Sequence, residues 1–438
     1  MHTIHGETKP WREESFKALI PFIVFVIFYF GFSVLTQDFS KVPMTVAFII
    51  SSAAALILNH KEKLNKKIEI FALGMGNKDI MIMCLIFILA GAFTATAQAV
   101  GGVDAAVEIT QHFIPAKFMI SGLFVISALI SLAVGTSCGT IAAIVPIAVA
   151  LSVSLGFNPA VAIGATIGGA MFGDNLSLIS DTTIASTRTQ NVEMRDKMIC
   201  NLKIVILPAI FCVFLYMLPV FATVNGQISN TIIDFSSYIK IAPYILLLIL
   251  GVLGVNVMFL LLAGTILNII IGLLFNIFNI WDAFGFMGDG TVSMANTLIV
   301  ALLAGGLLCM VRYNGGISFI IKKTQKWIKG KKSCEFGITF LVGIINLFTA
   351  NNTVAIITAG PIAKELSIKY NVDPKRTASL LDTTSCCVQG MIPYGAQILI
   401  ATSLASGISI SSFAIMKGLF YPALMGIGLL ISLLMVRE

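Results

Sequence analysis

Charge is what this sequence has least of. Only 11% of its 438 residues are Asp, Glu, Lys or Arg, 57% are hydrophobic, and the mean hydropathy is +0.96. That balance excludes an ordinary soluble domain. Histidine is scarce too: His2, His5, His60 and His112 are the four, and all lie outside the long apolar runs. This argues against a histidine metal site and against a histidine proton relay inside a membrane. The eight cysteines (Cys84, Cys138, Cys200, Cys212, Cys309, Cys334, Cys386, Cys387) sit mostly in apolar surroundings without metal-ligand spacing, and read as small core residues. No acid, base and metal constellation lies near the ends of the apolar runs, as a membrane enzyme would need. No continuous polar stripe lines them, as a channel would need. The net charge of +7 is no nucleic-acid signal, because its distribution follows the apolar runs.

What is abundant is apolar runs of about 18–25 residues, enough to cross a hydrocarbon core about 30 Å thick. They fall at 18–36, 43–58, 79–100, 159–186 and 200–222, and again at 241–255, 257–276, 293–312, 375–405 and 411–435. The first begins near Phe16, after a charged segment containing Trp11 and without a small-residue cleavage site. It reads as a transmembrane helix and not as a removed signal peptide. Between the third and fourth run of each half lies a segment expected to enter the membrane and return, 116–157 and 334–368. The expected fold is therefore an all-α membrane protein of about ten transmembrane helices plus two re-entrant helical hairpins. Residues 1–17 form a cytoplasmic N-terminal segment, 18–222 a first repeat, 223–240 an external connector and 241–438 a second repeat.

Lysine and arginine set the orientation. Of 28 such residues, only Lys41, Lys117, Lys240 and Lys417 fall on the far side when the N-terminus is placed inside. All others, including Arg188, Arg195, Lys197, Lys203 and the run from Lys322 to Lys332, lie in cytoplasmic segments, a strong positive-inside bias. Both termini are then cytoplasmic and the chain is a multi-pass protein of the cell (inner) membrane. Charge alone does not separate hairpins from pairs of complete spans; the polar turns carry that reading. Five spans per half is an odd number, so the second half must be inverted relative to the first. Stretch 315–332, with Ile317, Ile320, Ile321, Trp327 and Ile328 set against Lys322, Lys323, Lys326 and Lys329, should lie flat on the cytoplasmic surface. Its counterpart near 103–113 carries Asp104 and Glu108, as suits the outer face.

One phrase occurs in both halves. TSCGT at 136–140 precedes Pro146-Ile147-Ala148, Leu151-Ser152 and Pro159; TANNT at 349–353 precedes Pro361-Ile362-Ala363, Leu366-Ser367 and Pro374. Gly101-Gly102-Val103 is likewise answered by Gly315-Gly316-Ile317. Interrupted apolar segments at matching places in two halves point to the binding site of a secondary transporter. Breaks at membrane depth expose backbone groups that are tolerated only against protein or a wet cavity. Thr136, Ser137, Cys138, Gly139 and Thr140, with Thr349, Asn351, Asn352 and Thr353, add hydroxyl, amide and small groups at that depth. They suit a small hard cation such as sodium, or a solute carboxylate. Close helix packing by small residues is the alternative for the glycines.

GDNLSLISDTT at 173–183 places Asp174, Asn175, Ser177 and Asp181 within a span, and DTTSCCVQGMIPYG at 382–395 contributes Asp382, Thr383, Ser385 and Gln389, with Pro393 breaking the helix. A carboxylate in the membrane costs about 3 kcal/mol or more, so each needs a partner, a proton or an ion. Asp181 and Asp382 also fit a capping role before Thr182 and Thr383. A sodium ion would draw on Thr140, Asp174, Asn352 and Asp382. Arg188 and Arg376 lie near the cytoplasmic ends of the broken helices, where topology alone explains them.

GDNLSLISDTT closely resembles the GDKLSPLSDTT-like signature of NhaC-type sodium/proton antiporters, part of the ion transporter superfamily, and GTSCGT at 135–140 resembles that family's GTSWGT. The resemblance spans both halves. It implies an elevator-type secondary transporter, a homodimer, with hairpin tips and broken helices forming the site, and no cofactor beyond bound Na+. Asn175, Leu178 and Cys138 depart from the family's lysine, proline and tryptophan. Sodium/proton exchange is the expected activity. The alternative is a sodium- or proton-coupled permease for an amino acid, a carboxylate or another small organic solute on the same fold.

Overall fold

The computed structural model describes residues 14–35, 42–113, 115–178, 180–218, 234–253, 255–408 and 410–436. Lys9, Arg12, Lys41, Arg437, most of the N-terminal segment and much of the external connector lie outside them. Among the described residues all regular structure is helical. In the first half, helix α1 (16–35) passes through 3-10, α and π turns, followed by α2 (Met44–Ile57), α3 (Leu64–Met75), α4 (Lys78–Ala99) and α5 (Gly102–Phe113). Helices α6 (Met119–Val134) and α7 (Ser137–Leu155) form a tight hairpin, and α8 (Pro159–Leu176) and α9 (Asp181–Gln190) form a broken helix before α10 (Met194–Tyr216). The second half runs α11 (Phe235–Lys240), α12 (Ala242–Val252), α13 (Val257–Leu274), α14 (Ile280–Ser293), α15 (Ala295–Tyr313) and α16 (Gly316–Gln325). Its hairpin is α17 (Lys331–Thr349) and α18 (Asn352–Lys369), its broken helix α19 (Pro374–Gly390) and α20 (Ala396–Leu404), and its end α21 (Ser412–Gly418) and α22 (Tyr421–Leu434).

The same local chemistry recurs in both halves. Asn158 accepts from the Ala160 N–H at 2.9 Å ahead of Pro159, and Asp373 accepts from the Lys375 N–H at 2.8 Å ahead of Pro374, so the two broken helices start alike. Left-handed residues also pair by position: Asn59 with Asn276, Gly101 with Gly315, Gly135 with Ala350, Gly156 with Asn371. These are the helix ends and hairpin turns, where the chain must reverse or break.

By length and apolarity, six of the described helices can cross a membrane, or seven if α21 and α22, bent by 57°, count as one span. Two of the six, α7 and α17, are arms of the expected hairpins; expected spans outside the six are shorter pieces such as α1 and α2, or helices broken mid-course, which is why continuous hydropathy over-reads them. Two helices, α3 and α14, were not anticipated. Each packs against the other half through glycine: a Cβ on Gly74 would lie 2.5 Å from the Gly305 carbonyl oxygen, and one on Gly290 would lie 2.2 Å from that of Gly91. Only hydrogen at these positions lets the backbones approach so closely. The exterior is apolar: Leu207, Phe211 and Phe214 on α10, and Phe259 and Ile266 on α13, are more than half exposed. Such a belt suits lipid and not water.

Candidate functional site

Each hairpin tip is a helix end, a left-handed residue and a new helix start. In the first, Gly135 (φ +75°) ends α6 and Thr136 adopts extended backbone before α7. In the second, Ala350 (φ +48°) ends α17, and the Asn351 side chain caps α18 by accepting from the Val354 N–H at 3.0 Å. A non-glycine residue held there is strained, and the tip is tied down around it. The Gln389 side chain donates to the Ala350 carbonyl at 2.7 Å, and the Thr349 hydroxyl donates to the Asn351 carbonyl at 3.1 Å. This geometry corrects the sequence register of the two phrases. The equivalent of Thr136-Ser137 is Asn351-Asn352, two residues further on than a letter-by-letter match of TSCGT with TANNT. The proline, leucine and broken-helix landmarks keep the same constant offset, which makes Gln389 the counterpart of Asp174.

Both tips and both breaks line one cavity of about 120 Å³. Thr136, Ser137 and Cys138 from the first tip face Asn351, Asn352 and Thr353 from the second, with Asp174, Ser180, Asp181, Gln389 and Gln397 between them. Asp174 is buried, and its carboxylate is held from two directions. Oδ2 accepts the Ser137 hydroxyl at 2.7 Å and the Ser137 N–H at 3.2 Å, while Oδ1 accepts the Ser180 hydroxyl at 2.6 Å. One carboxylate thus joins the first hairpin tip to the far side of the first break. Gln397 donates to the Ser137 hydroxyl at 3.1 Å, carrying the network into the second half. Among the described residues, the side-chain amide oxygens of Gln389 and Gln397 are buried with no hydrogen-bond partner, and no lysine, arginine or histidine lines the cavity. The lining is thus rich in oxygen and poor in positive charge.

Asp382 has a different setting. It is fully buried in the middle of α19, so it caps nothing, and it forms an ion pair with Lys197, also fully buried. The Asn175 and Asn201 side chains donate to the same Oδ2 at 3.0 and 2.8 Å. Lys197 therefore does not belong among the cytoplasmic surface charges used for topology. It lies one turn inside α10, turned into the protein, and donates to the Asn175 carbonyl at 2.9 Å and the Thr183 hydroxyl at 2.8 Å. A lone lysine near a helix start gives no sequence sign of this; only the packing of α10 on α8 and α19 reveals it.

Of the expected site residues, the structure brings Thr136, Ser137, Cys138, Asp174, Asp181, Asn351, Asn352, Thr353 and Gln389 together. The others lie around this group. Thr140 is buried and bonded to its own helix, through the Thr136 carbonyl. A Cβ on Gly139 would meet Val257 at 2.4 Å, a packing role. Thr349 braces the second tip, Asn175 faces Asp382, and Ser177 accepts the Thr183 hydroxyl on its carbonyl. Ser385 donates to the Asp382 carbonyl, and Thr383 is fully buried beside it. So the expected sodium set divides: Asp174 and Asn352 line the cavity, Thr140 and Asp382 do not. Asp181 opens α9 as its first residue, favoured there by the helix dipole. Arg376 pairs with buried Glu335 at 3.0 Å, away from the cavity. Sequence reasoning missed Ser180, although it lies inside GDNLSLISDTT, and also Gln397, Lys197, Asn201 and Asn346, single polar residues without a motif. Asn346 donates to the Ser385 carbonyl at 2.7 Å, binding hairpin to broken helix. All eight cysteines are free. Among the described residues no cluster of three or more metal-ligating side chains occurs.

The chain resembles known proteins over most of its length. It is 22% identical to the Malate-2H(+)/Na(+)-lactate antiporter of Bacillus subtilis, over 86% of each chain. It is 24% identical to the Na(+)/H(+) antiporter NhaC of the same organism, over 81% of this chain and 84% of that one. The crystal structure of the Alcanivorax borkumensis YdaH transporter aligns with 80% of this chain and 84% of its own, at 15% identity and a TM-score of 0.44. The sequence pattern of the Na+/H+ antiporter family matches residues 12–219 and 202–432, nearly the whole chain. The chain therefore belongs to the Na+/H+ antiporter family.

Proposed function

We propose that this protein exchanges sodium for protons across the cell membrane, with the cavity between the two hairpin tips as its ion site and Asp174 as the carboxylate that the two cations share. The single observation that carries the reading is the cavity's lining: a buried carboxylate, unpartnered amide oxygens and hydroxyls, and no cationic side chain. Hard cations take oxygen ligands. A membrane-embedded carboxylate without a cationic partner is by default an ion or proton site. Competition of sodium and proton for one carboxylate couples their movements without further machinery.

The proposed architecture is two inverted halves working as an elevator within a homodimer. The paired left-handed residues and the paired broken helices support the repeat. The reciprocal glycine contacts, α3 on α15 and α14 on α4, supply a rigid frame against which hairpins and broken helices would move as one body. Because Asp174 is bonded to both tip and break, ion binding there would act on the first hairpin tip and the first break together.

The relative named as a malate/lactate antiporter keeps carboxylate exchange in view. A carboxylate cargo would find no lysine or arginine in this lining and would need bound sodium as its counter-ion. Proteoliposomes test both readings: an imposed sodium gradient should move protons in the absence of any organic solute. Transport only when malate, lactate or an amino acid is supplied would overturn pure cation exchange.

A further inference from the structure

The Lys197 ammonium has three N–H donors, and three oxygen atoms receive them: Asp382 Oδ2, the Asn175 carbonyl at 2.9 Å and the Thr183 hydroxyl at 2.8 Å. These come from both halves of the chain, from the residue next to Asp174 on one side and from the middle of α19 on the other. Lysine and aspartate are both fully buried. The same pocket also holds acceptors that nothing satisfies: Asp382 Oδ1 and Asn201 Oδ1 have no hydrogen-bond partner among the described residues. A lysine head inside three oxygens, with two more acceptors idle beside it, has the donor set of a small-cation site already filled by a side chain.

The charge inventory points the same way. Among the described residues, away from the Glu335–Arg376 pair and from Lys67, which donates to the Leu56 carbonyl at 2.8 Å, the buried charged groups are Asp174, Asp382 and Lys197. Among these buried groups two carboxylates and one ammonium leave a deficit of one positive charge, which a single sodium ion or proton makes good at Asp174; Asp181, on the same cavity wall, is exposed. We infer that Lys197 is a tethered occupant of a second, latent cation site at Asp382, and that it sets the number of mobile cations the core accepts. In chains without a cation at this position the site would be open to a mobile ion. Here the lysine closes it and ties α10 to the carbonyl of Asn175, so the second carboxylate stays charged and paired through the cycle. Lys197 acts through Asp382 and Asn175 and is a positioning residue.

The inference rests on the cavity being a sodium site, and equilibrium binding of radioactive sodium separates the two. The full chain, reconstituted in nanodiscs, is compared with Lys197→Met and with Lys197→Met/Asp382→Asn, alongside thermal unfolding in sodium and in choline. Lys197→Met should bind one sodium ion per chain more than the parent, and the double variant should lose that extra ion. Sodium should also raise the melting temperature of Lys197→Met more than that of the parent. If the parent binds no sodium but Lys197→Met gains a site that Asp382→Asn removes, the latent site stands and the cavity reading falls. A Lys197→Met protein that is folded and binds no more sodium than the parent overturns the inference. So does one that stays unfolded in saturating sodium, since the ion then does not replace the ammonium.

Discussion

The two halves build the same element, a broken helix, and furnish it with carboxylates that are accompanied in opposite ways. Asp174, at the first break, is held by serine hydroxyls and an N–H and borders a cavity without positive charge. Asp382, two turns before the second break, is sealed from solvent and paired with Lys197. At the position equivalent to Asp174 the second half has a neutral amide, Gln389, bonded to the Ala350 carbonyl. In the proposed mechanism, two similar scaffolds differ in a few side chains, so that the first carries the exchanging carboxylate and the second a paired counterweight. Net charge at membrane depth is the deciding quantity, because each unpaired charge there is expensive.

Breaking the sealed pair should have the largest effect on stability. Asp382→Asn strands the Lys197 ammonium among neutral groups, and removing one member of a buried pair costs about 3–5 kcal/mol. Thermal unfolding in detergent should show this loss, and sodium should not reverse it. If Asp382→Asn melts like the parent, the two carboxylates are not the opposites described.

Asp174→Asn should divide activity from stability. The amide oxygen can still accept a serine hydroxyl, so the fold should lose no more than about 1–3 kcal/mol. Sodium-driven proton flux in proteoliposomes should fall by about tenfold or more, as the shared carboxylate is gone. Unchanged flux would move the coupling role to another residue.

The repeat itself is tested by its glycine contacts. Gly290→Ala would set a methyl group 2.2 Å from the Gly91 carbonyl oxygen, and Gly74→Ala one 2.5 Å from that of Gly305. Overpacking of this kind costs about 1–3 kcal/mol, and the two variants should lose similar amounts. Strongly unequal losses in melting would argue that the halves are not equivalent frames.

The smallest effect should come from another Lys–Asp pair that joins the halves. Lys375 and Asp196 meet at 2.8 Å on the exposed ends of α19 and α10. Asp196 raises the lysine's pKa above its ordinary value of 10.5, so the pair's contribution is present below that value and fades only as pH climbs through the raised one. Exposed pairs are worth little, and Lys375→Gln should leave the melting temperature unchanged near pH 7. The contrast with Lys197 is burial alone: the residue types are the same.

Much of the fold was legible from order and composition. Apolar run length, Pro159 and Pro374 at the starts of the broken helices, the paired glycines and the polar tips of the hairpins are local signals, each with a local cause. They determine helices, breaks and the recurrence of one plan. The register of the two tips was read wrongly by two residues, because the letters of TSCGT and TANNT match at one offset while the prolines, the leucines and the left-handed residues Gly135 and Ala350 keep another. Helices α3 and α14 escaped because their stability comes from close packing on the opposite half, not from their own apolar length. A carboxylate or an amide in an apolar run stands out, which is why Asp174, Asn351 and Asn352, which line the cavity, were legible as candidates in the sequence alone. What could not be named was partnership. Lys197 looked like any cytoplasmic lysine until the tertiary structure set it against a carboxylate 185 residues away in the chain. Sequence determines which groups are available at which depth. Which of them meet, and therefore which charge is left for an ion to balance, depends on distances that only the folded chain has.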